Sequence, residues 1–213
     1  MSSRIHGPVD AQPEFSAAVL TGGASRRFGA DKALFRFAGV ALAERVCRAL
    51  REAGASEVLS VGGDERALTG LGCFDRHVPD RWPGQGPLGG IVTALEASIS
   101  DVVVVLACDT PGVGPSAPKA LLGSVGSADV AVGMVGDREQ PLSAAWHRRV
   151  AVTLRLAFES GERAPRRVIQ SLDVVRVPLH ADDVDDIDRP GDLHRYDLDG
   201  STAPPSDDTR SGQ

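Results

Sequence analysis

Residues 17–23, AAVLTGG, indicate the fold of this chain. Four apolar residues end abruptly at a polar residue and two glycines, which is typical of a buried parallel strand that runs into a glycine loop. Residues 58–61 lead in the same way into Gly62 and Gly63, and residues 102–107, VVVVLA, show no polar alternation. We therefore predict a sheet whose central strands are covered on both faces.

Helical patterns separate these strands. Between residues 41 and 53, apolar side chains recur at helical spacing, and Gly54 follows as a C-terminal cap. A second helix is predicted to open at Pro87. Strands that alternate with helices predict a single-domain, three-layer α/β/α sandwich with a mostly parallel, Rossmann-like sheet. Further strands are predicted near residues 130–135, 142–146 and 174–177, and further helices near residues 149–158 and 190–196.

The composition narrows the classes of function. With 23 basic and 29 acidic residues, the 213-residue chain has a formal net charge of -6, which argues against a broad nucleic-acid-binding surface. Cys47, Cys73 and Cys108 have no CxxC spacing and are expected to be buried, reduced thiols. The start of the sequence lacks a signal-peptide core, and no stretch has the roughly 20 apolar residues of a membrane helix. We expect a cytoplasmic protein that binds neither nucleic acid nor membrane.

The segment after the first predicted strand has the features of a phosphate-binding loop. The sequence of residues 20–32 is LTGGASRRFGADK. Glycines let backbone N–H groups approach phosphate oxygens closely, and Arg27 and Lys32 add charge-assisted donors. The spacing differs from a Walker loop, because Asp31 precedes Lys32 and Ala33 follows it, and it differs from the GxGxxG dinucleotide fingerprint. The alternative is a flexible glycine turn with solvated basic residues.

A carboxylate follows the predicted central strand. In residues 107–111, ACDTP, Asp109 lies just beyond the carboxyl end of that strand. A carboxylate held there can coordinate Mg²⁺, which prefers a few carboxylate oxygens together with substrate phosphates. Alternatively, Asp109 caps the next helix, with Pro111 in the first turn.

Three motifs in this order resemble those of the molybdenum cofactor guanylyltransferases, within the larger superfamily of Rossmann-like nucleotidyltransferases. Residues 22–33, GGASRRFGADKA, are similar to that family's GGxxxRMGxDKA signature, with Phe28 in place of the usual Met. Residues 80–91, DRWPGQGPLGGI, resemble its GPLxGI element, and residues 107–111 resemble its CDxP signature. Thr21 stands where the family usually has Ala.

Two later segments extend the resemblance. Residues 186–193, DIDRPGDL, are similar to the family's NxNTPEDL element, and Asp188 stands at the place that lies near the metal. Capping of a helix that begins at Pro190 is an equal alternative for Asp188. Residues 161–167 resemble a GERR region on the acceptor side, so its arginines either bind the acceptor phosphate or form a solvated helix face. These arginines are Arg163, Arg166 and Arg167.

The resemblance implies a role for each matched residue. Asp109 and Asp188 would hold Mg²⁺, and Asp80 would contact the nucleoside. Arg27 and Lys32 would stabilise the triphosphate and the leaving pyrophosphate. The implied catalytic residues are Arg27, Lys32 and Asp109, and the implied nucleotide-binding residues are Leu20, Thr21, Gly22, Gly23, Lys32, Asp80 and Asp109.

The implied reaction moves GMP from GTP to the phosphate of molybdopterin that carries molybdenum, releases pyrophosphate, and uses Mg²⁺ as cofactor. Besides GTP and molybdopterin, the implied partners are apo-forms of molybdenum enzymes or their chaperones. The alternatives are a molybdopterin cytidylyltransferase, which Asp186 and Asp188 favour, a sugar-phosphate nucleotidyltransferase, and a non-catalytic GTP-binding module. We expect the nucleotidyltransferase domain at residues 15–197, between disordered ends at residues 1–14 and 198–213.

Overall fold

The computed structural model describes residues 14–23 and 31–185, and in this part of the chain one sheet has seven strands. Its strands are β1 (Ser16–Leu20), β4 (Glu57–Val61), β5 (Arg76–Val78), β6 (Val102–Ala107), β7 (Val130–Val135), β8 (Arg138–His147) and β9 (Val174–Pro178). A separate hairpin is formed by β2 (Arg36–Phe37) and β3 (Val40–Ala41). The strand order is β5-β4-β1-β6-β8-β7-β9, and β8 runs antiparallel to both of its neighbours. The mostly parallel sheet that the sequence predicts is confirmed.

Helices cover both faces of the sheet. They are α1 (Leu42–Glu52), α2 (Glu65–Thr69), α3 (Pro87–Ala97), α4 (Ser116–Val125), α5 (Ala151–Glu159) and α6 (Pro165–Ile169). Successive side chains of β1 point to opposite faces. Ala17 and Val19 join the core formed with α1 and α4, whereas Ala18 and Leu20 join the core formed with α3 and α5. This is the predicted three-layer sandwich, and β1 is a fully buried strand within it.

The pairing register aligns the carboxyl ends of three strands. Leu20 of β1 lies opposite Val61 of β4 and opposite Ala107 of β6. The segments that follow these strands therefore meet at one edge of the sheet, which is where ligands bind in open α/β sheets. The candidate active site is built from these segments.

The predicted strands and helices up to residue 178 are present, but several short elements do not follow from the pattern. Helix α4 contains Pro118 and Gly123, which interrupt its helical pattern, and β5 has only three residues. Strand β8 begins at Arg138 rather than at residue 142, because a shift of register in its pairing with β7 accommodates the intervening residues.

Some predictions fall on residues that the structure does not describe. The predicted helix near residues 190–196 and the tail at 198–213 lie outside the described residues, as do residues 1–13 of the predicted N-terminal segment. Within the ranges 14–23 and 31–185, no helix combines the length and the apolar character needed to cross a membrane.

Candidate active site

Two glycine loops interlock at the carboxyl edge of the sheet. The backbone N–H groups of Thr21 and Gly22 both donate to Val61 O, at 2.9 and 3.0 Å. The buried Thr21 hydroxyl lies 2.6 Å from Gly62 O and donates to the same turn. The amides of Thr21 and Gly22 are therefore committed within the protein. Neither of these two amides is free to bind a phosphate oxygen.

Close packing of this loop against the next one depends on glycine. Gly62 has a φ of 74°, and a Cβ atom on it would lie 3.0 Å from Gly22 Cα. The same Cβ would lie 3.3 Å from Asp80 Cβ, so Asp80 borders both glycine loops. Asp80 is half-buried and accepts a hydrogen bond of 3.0 Å from the backbone N–H of Trp82. The structure thus places Asp80 beside Gly62, which itself packs against Gly22.

Lys32 and Asp109 form an ion pair between the segments that follow β1 and β6. Lys32 Nζ lies 2.8 Å from Asp109 Oδ2, and the two side chains are 13% and 23% exposed. Lys32 begins a short 3-10 turn, Lys32–Leu34, which Asp31 caps by accepting from the Ala33 N–H at 3.0 Å. The two side chains carry opposite charges and are only partly open to solvent. The pair links the phosphate-loop lysine to the candidate metal ligand.

Asp109 does not cap a helix. Helix α4 begins at Ser116, and its N-terminal cap position is Pro115, well beyond Asp109 in the sequence. The capping alternative is therefore wrong for Asp109. The preceding thiol, Cys108, is buried, and burial followed by the charge of Asp109 raises its pKa well above the ordinary range. Cys108 is thus a neutral, buried thiol, as expected.

Asp109 is the carboxylate that could hold Mg²⁺ at this edge of the sheet. Among residues 14–23 and 31–185, no three His, Cys, Asp or Glu side chains gather as a metal-binding cluster. Mg²⁺ usually keeps several waters and binds through one or two carboxylates plus substrate phosphates, so an all-protein cage is not required. Asp109 supplies one such carboxylate. Asp188, the second predicted ligand, and Arg27 lie outside the described residues.

A hydrogen bond ties the end of the described chain to this site. Asp183, in the short 3-10 turn Ala181–Asp183, accepts from the Gly114 N–H at 3.1 Å. Gly114 belongs to the segment between β6 and α4, which also contains Asp109. The contact brings the chain that leads toward Asp188 to the Asp109 side of the sheet. No sequence motif marks this contact.

The family model of the MobA-like NTP transferase domain matches residues 17–177, which include both glycine loops, Lys32 and Asp109. The chain belongs to this family. A probable molybdenum cofactor guanylyltransferase from Bacillus velezensis is 36% identical over 136 residues, which cover 62% of this chain and 66% of the relative. Another protein of that name, from Opitutus terrae, is 34% identical over 160 residues, which cover 74% of this chain and 78% of the relative.

Solved structures agree with the family assignment. The crystal structure of molybdopterin-guanine dinucleotide biosynthesis protein A from Archaeoglobus fulgidus superposes with a TM-score of 0.69 at 28% sequence identity. The match covers 84% of this chain and 95% of that one. As a MobA-like NTP transferase, the chain is a nucleotidyltransferase with the three-layer fold that the sequence predicts.

The loop between β5 and α3 of this MobA-like protein packs against the end of α5. The Trp82 ring lies on the Phe158 ring at a centroid distance of 4.6 Å, and the Arg163 guanidinium covers Phe158 at 4.0 Å. Arg166 and Arg167 are exposed on α6. Arg163 differs from them, because its guanidinium turns inward to this loop. The sequence pattern treats the three arginines alike, and only their packing separates them.

Substituting Gly62 by Ala tests the interlocked loops of the MobA-like site. We expect Gly62→Ala to lower the free energy of unfolding by about 2–4 kcal/mol, because left-handed strain adds to crowding against Gly22. Gly72→Ala is the control, because Gly72 also has a positive φ, 68°, but a Cβ there meets nothing within 4 Å. The control should lose only about 1–2 kcal/mol in urea unfolding. Equal losses for the two variants would show that the close approach is unimportant.

Proposed function

We propose that this MobA-like protein is a molybdenum cofactor guanylyltransferase, which moves GMP from GTP to the terminal phosphate of molybdopterin that carries molybdenum. The observation that carries the proposal is the Lys32–Asp109 pair of 2.8 Å beside two interlocked glycine loops. It supplies a cation for phosphates and a carboxylate for a metal at one place. Relatives named as probable molybdenum cofactor guanylyltransferases support the choice of nucleotide and acceptor.

The proposed chemistry is a direct displacement. An oxygen of the acceptor phosphate attacks the α-phosphorus of GTP, the bond from that phosphorus to the β-phosphate oxygen breaks, and pyrophosphate leaves. No covalent enzyme intermediate is needed, so catalysis rests on alignment and on charge neutralisation. Mg²⁺, when bound, supplies Lewis-acid stabilisation of the phosphate oxygens.

In the ligand-free protein, Lys32 and Asp109 form an ion pair with each other. In this proposal, each would bind a different partner in the presence of substrate. The ammonium of Lys32 would bind the phosphates of the nucleotide, and the Asp109 carboxylate would hold Mg²⁺. Each group keeps a partner of opposite charge throughout, so neither is left unpaired in a partly buried site. Arg27 adds a second cation for the triphosphate in this proposal.

The remaining predicted site residues surround this pair. Asp188 is proposed as a second metal ligand. The hydrogen bond from Gly114 to Asp183 supports this role, because it holds the chain five residues before Asp188 against the segment that contains Asp109. Asp80 is proposed to contact the nucleoside from beside Gly22. Leu20, Thr21, Gly22 and Gly23 are proposed to line the nucleotide, with N–H contacts coming from Gly23 onward.

The setting of the reaction follows from the same proposal. We place the protein in the cytoplasm, where its three free cysteines, Cys47, Cys73 and Cys108, would stay reduced. Residues 15–197 are proposed as the nucleotidyltransferase domain. Apo-forms of molybdenum enzymes or their chaperones are the proposed recipients of the product.

The choice of nucleotide can be tested by measuring pyrophosphate release. With Mg²⁺ and molybdenum-loaded molybdopterin, the purified protein is expected to release pyrophosphate with GTP and not with CTP or ATP. Release with CTP alone would make the protein a cytidylyltransferase. Binding of GTP without any release of pyrophosphate would favour the non-catalytic binding module instead.

Asp109 can be tested by removing only its charge. We expect Asp109→Asn to lower metal-dependent turnover by on the order of 10²-fold or more, because the amide is a poor Mg²⁺ ligand and cannot offset Lys32. Asp137→Asn, in the exposed turn between β7 and β8, is the matched control and should keep full activity. Pyrophosphate release and the melting temperature are measured for both variants. Wild-type turnover by Asp109→Asn would rule out the metal role.

Lys32 has a natural control, because Lys119 is the other lysine of this sequence. Lys32→Ala is expected to weaken GTP binding by roughly 10- to 100-fold, since a charge-assisted contact to phosphate is lost. Lys119→Ala, exposed on α4, should bind GTP as the wild type does. Isothermal titration calorimetry with Mg²⁺ measures both. Equal affinities of the two variants would refute the proposed role of Lys32.

A further inference from the structure

We infer that Arg163 is a positioning residue, which holds the loop of residues 80–86 in the shape that receives the nucleotide. This inference rests on the proposed function, because the ligand of the loop is taken to be GTP. It differs from the expectation that the arginines of residues 161–167 bind the acceptor phosphate. The contacts of Arg163 with the protein carry the argument.

The guanidinium of Arg163 donates hydrogen bonds both to the end of α5 and to the loop of residues 80–86. Its Nη1 donates to Phe158 O at 2.7 Å and to Glu162 O at 2.8 Å. Its Nη2 donates to Gln85 Oε1 at 3.2 Å, and its plane covers the Phe158 ring. The rigid fork of an arginine suits such a set of bonds, which a lysine cannot reproduce. Arg163 therefore joins the end of α5 to the loop.

The backbone that carries Arg163 is itself fixed. Glu162 Oε1 accepts from the backbone N–H groups of Arg163 and Ala164, both at 2.8 Å. These bonds, the one from Ala164 first, lower the pKa of Glu162, so the carboxylate is ionised at neutral pH. Gly86 fits directly over this turn, since a Cβ atom on Gly86 would lie 3.3 Å from Arg163 O. The end of the loop thus rests on a rigid support.

The other end of the loop is held by stacked rings. The Trp82 ring lies on the Phe158 ring. The Arg81 guanidinium lies over the Trp82 ring, 4.7 Å from its centroid. Cation and ring contacts of this kind restrict the orientation of an exposed loop. Phe158 is buried and contacts both Trp82 and Arg163, so it connects the two ends. Loss of Arg163 releases one end while the other stays stacked.

The loop borders the proposed nucleotide site. Asp80, at the start of the loop, lies beside Gly62. Helix α3 follows the loop, and its Gly90 faces Leu20: a Cβ atom added to Gly90 would lie 3.4 Å from the Leu20 side chain. A shift of the loop therefore moves the surface that faces the glycine loop. Arg163 acts on nucleotide binding through residues 80–86 and not by touching the acceptor.

The test is GTP binding in the absence of acceptor, measured by calorimetry with Mg²⁺. Arg163→Ala is expected to bind GTP about tenfold more weakly than the wild type. Arg163→Lys should be almost as weak, because charge without the fork does not hold the loop. Gln85→Ala removes the acceptor of the hydrogen bond from Arg163 Nη2. Because Gln85 is exposed, we expect this variant to bind GTP more weakly than the wild type but more tightly than Arg163→Ala.

Arg149→Ala is the matched control. Arg149 also donates to a backbone carbonyl and to a carboxylate, those of Ser127 and Asp129, but it lies near the opposite end of α5. Its removal should leave GTP affinity unchanged. Melting temperatures of all variants show that each is folded.

Hydrogen–deuterium exchange in the ligand-free protein distinguishes this role from binding of the acceptor phosphate. If Arg163 only bound the acceptor, its removal would not change the exchange rate of the loop. In the ligand-free protein, peptides covering residues 80–88 should exchange faster in Arg163→Ala than in the wild type or in Arg149→Ala. Unchanged exchange together with unchanged GTP affinity would overturn the inference. A wild-type protein that binds no GTP would instead refute the proposed function, and the exchange rates would still decide whether Arg163 holds the loop.

Discussion

The site depends on one constraint, the in-register pairing of β1 with β4 on one side and β6 on the other. Because Leu20 lies opposite both Val61 and Ala107, the three strands end at the same level. The chain must then turn three times in a small space. Glycines at the turns allow it, since the amides of residues 21 and 22 can reach Val61 O only where no side chain stands between the loops.

Charge is balanced within this crowded edge. Lys32 and Asp109 are 77 positions apart in the sequence and meet because β1 and β6 are neighbours. Each is partly buried, so each would be costly to leave without a partner. Their pairing balances the two charges at this point, and in the proposed function a nucleotide with Mg²⁺ would offer each of them a new partner. The same pair therefore serves stability before binding and, in the proposed function, catalysis afterwards.

The loop of residues 80–86 shows how a site extends beyond the residues that touch its ligand. Trp82 and Arg163 come from distant parts of the chain and meet on Phe158, which α5 brings to this face of the sheet. Arg166 and Arg167 follow closely in sequence yet remain exposed on α6. These arginines therefore differ in their surroundings, although the sequence pattern treats them alike.

The sequence by itself determined the layered fold, the buried central strands and the places of Lys32 and Asp109 in the segments that follow β1 and β6. It could do so because apolar runs, glycines and strand ends are local features with a direct physical meaning. Tertiary structure alone decided the short elements α4 and β5, the commitment of the Thr21 and Gly22 amides to Val61, and the inward turn of Arg163. Each of these depends on which distant group lies within hydrogen-bonding or packing distance, and no local pattern carries that information.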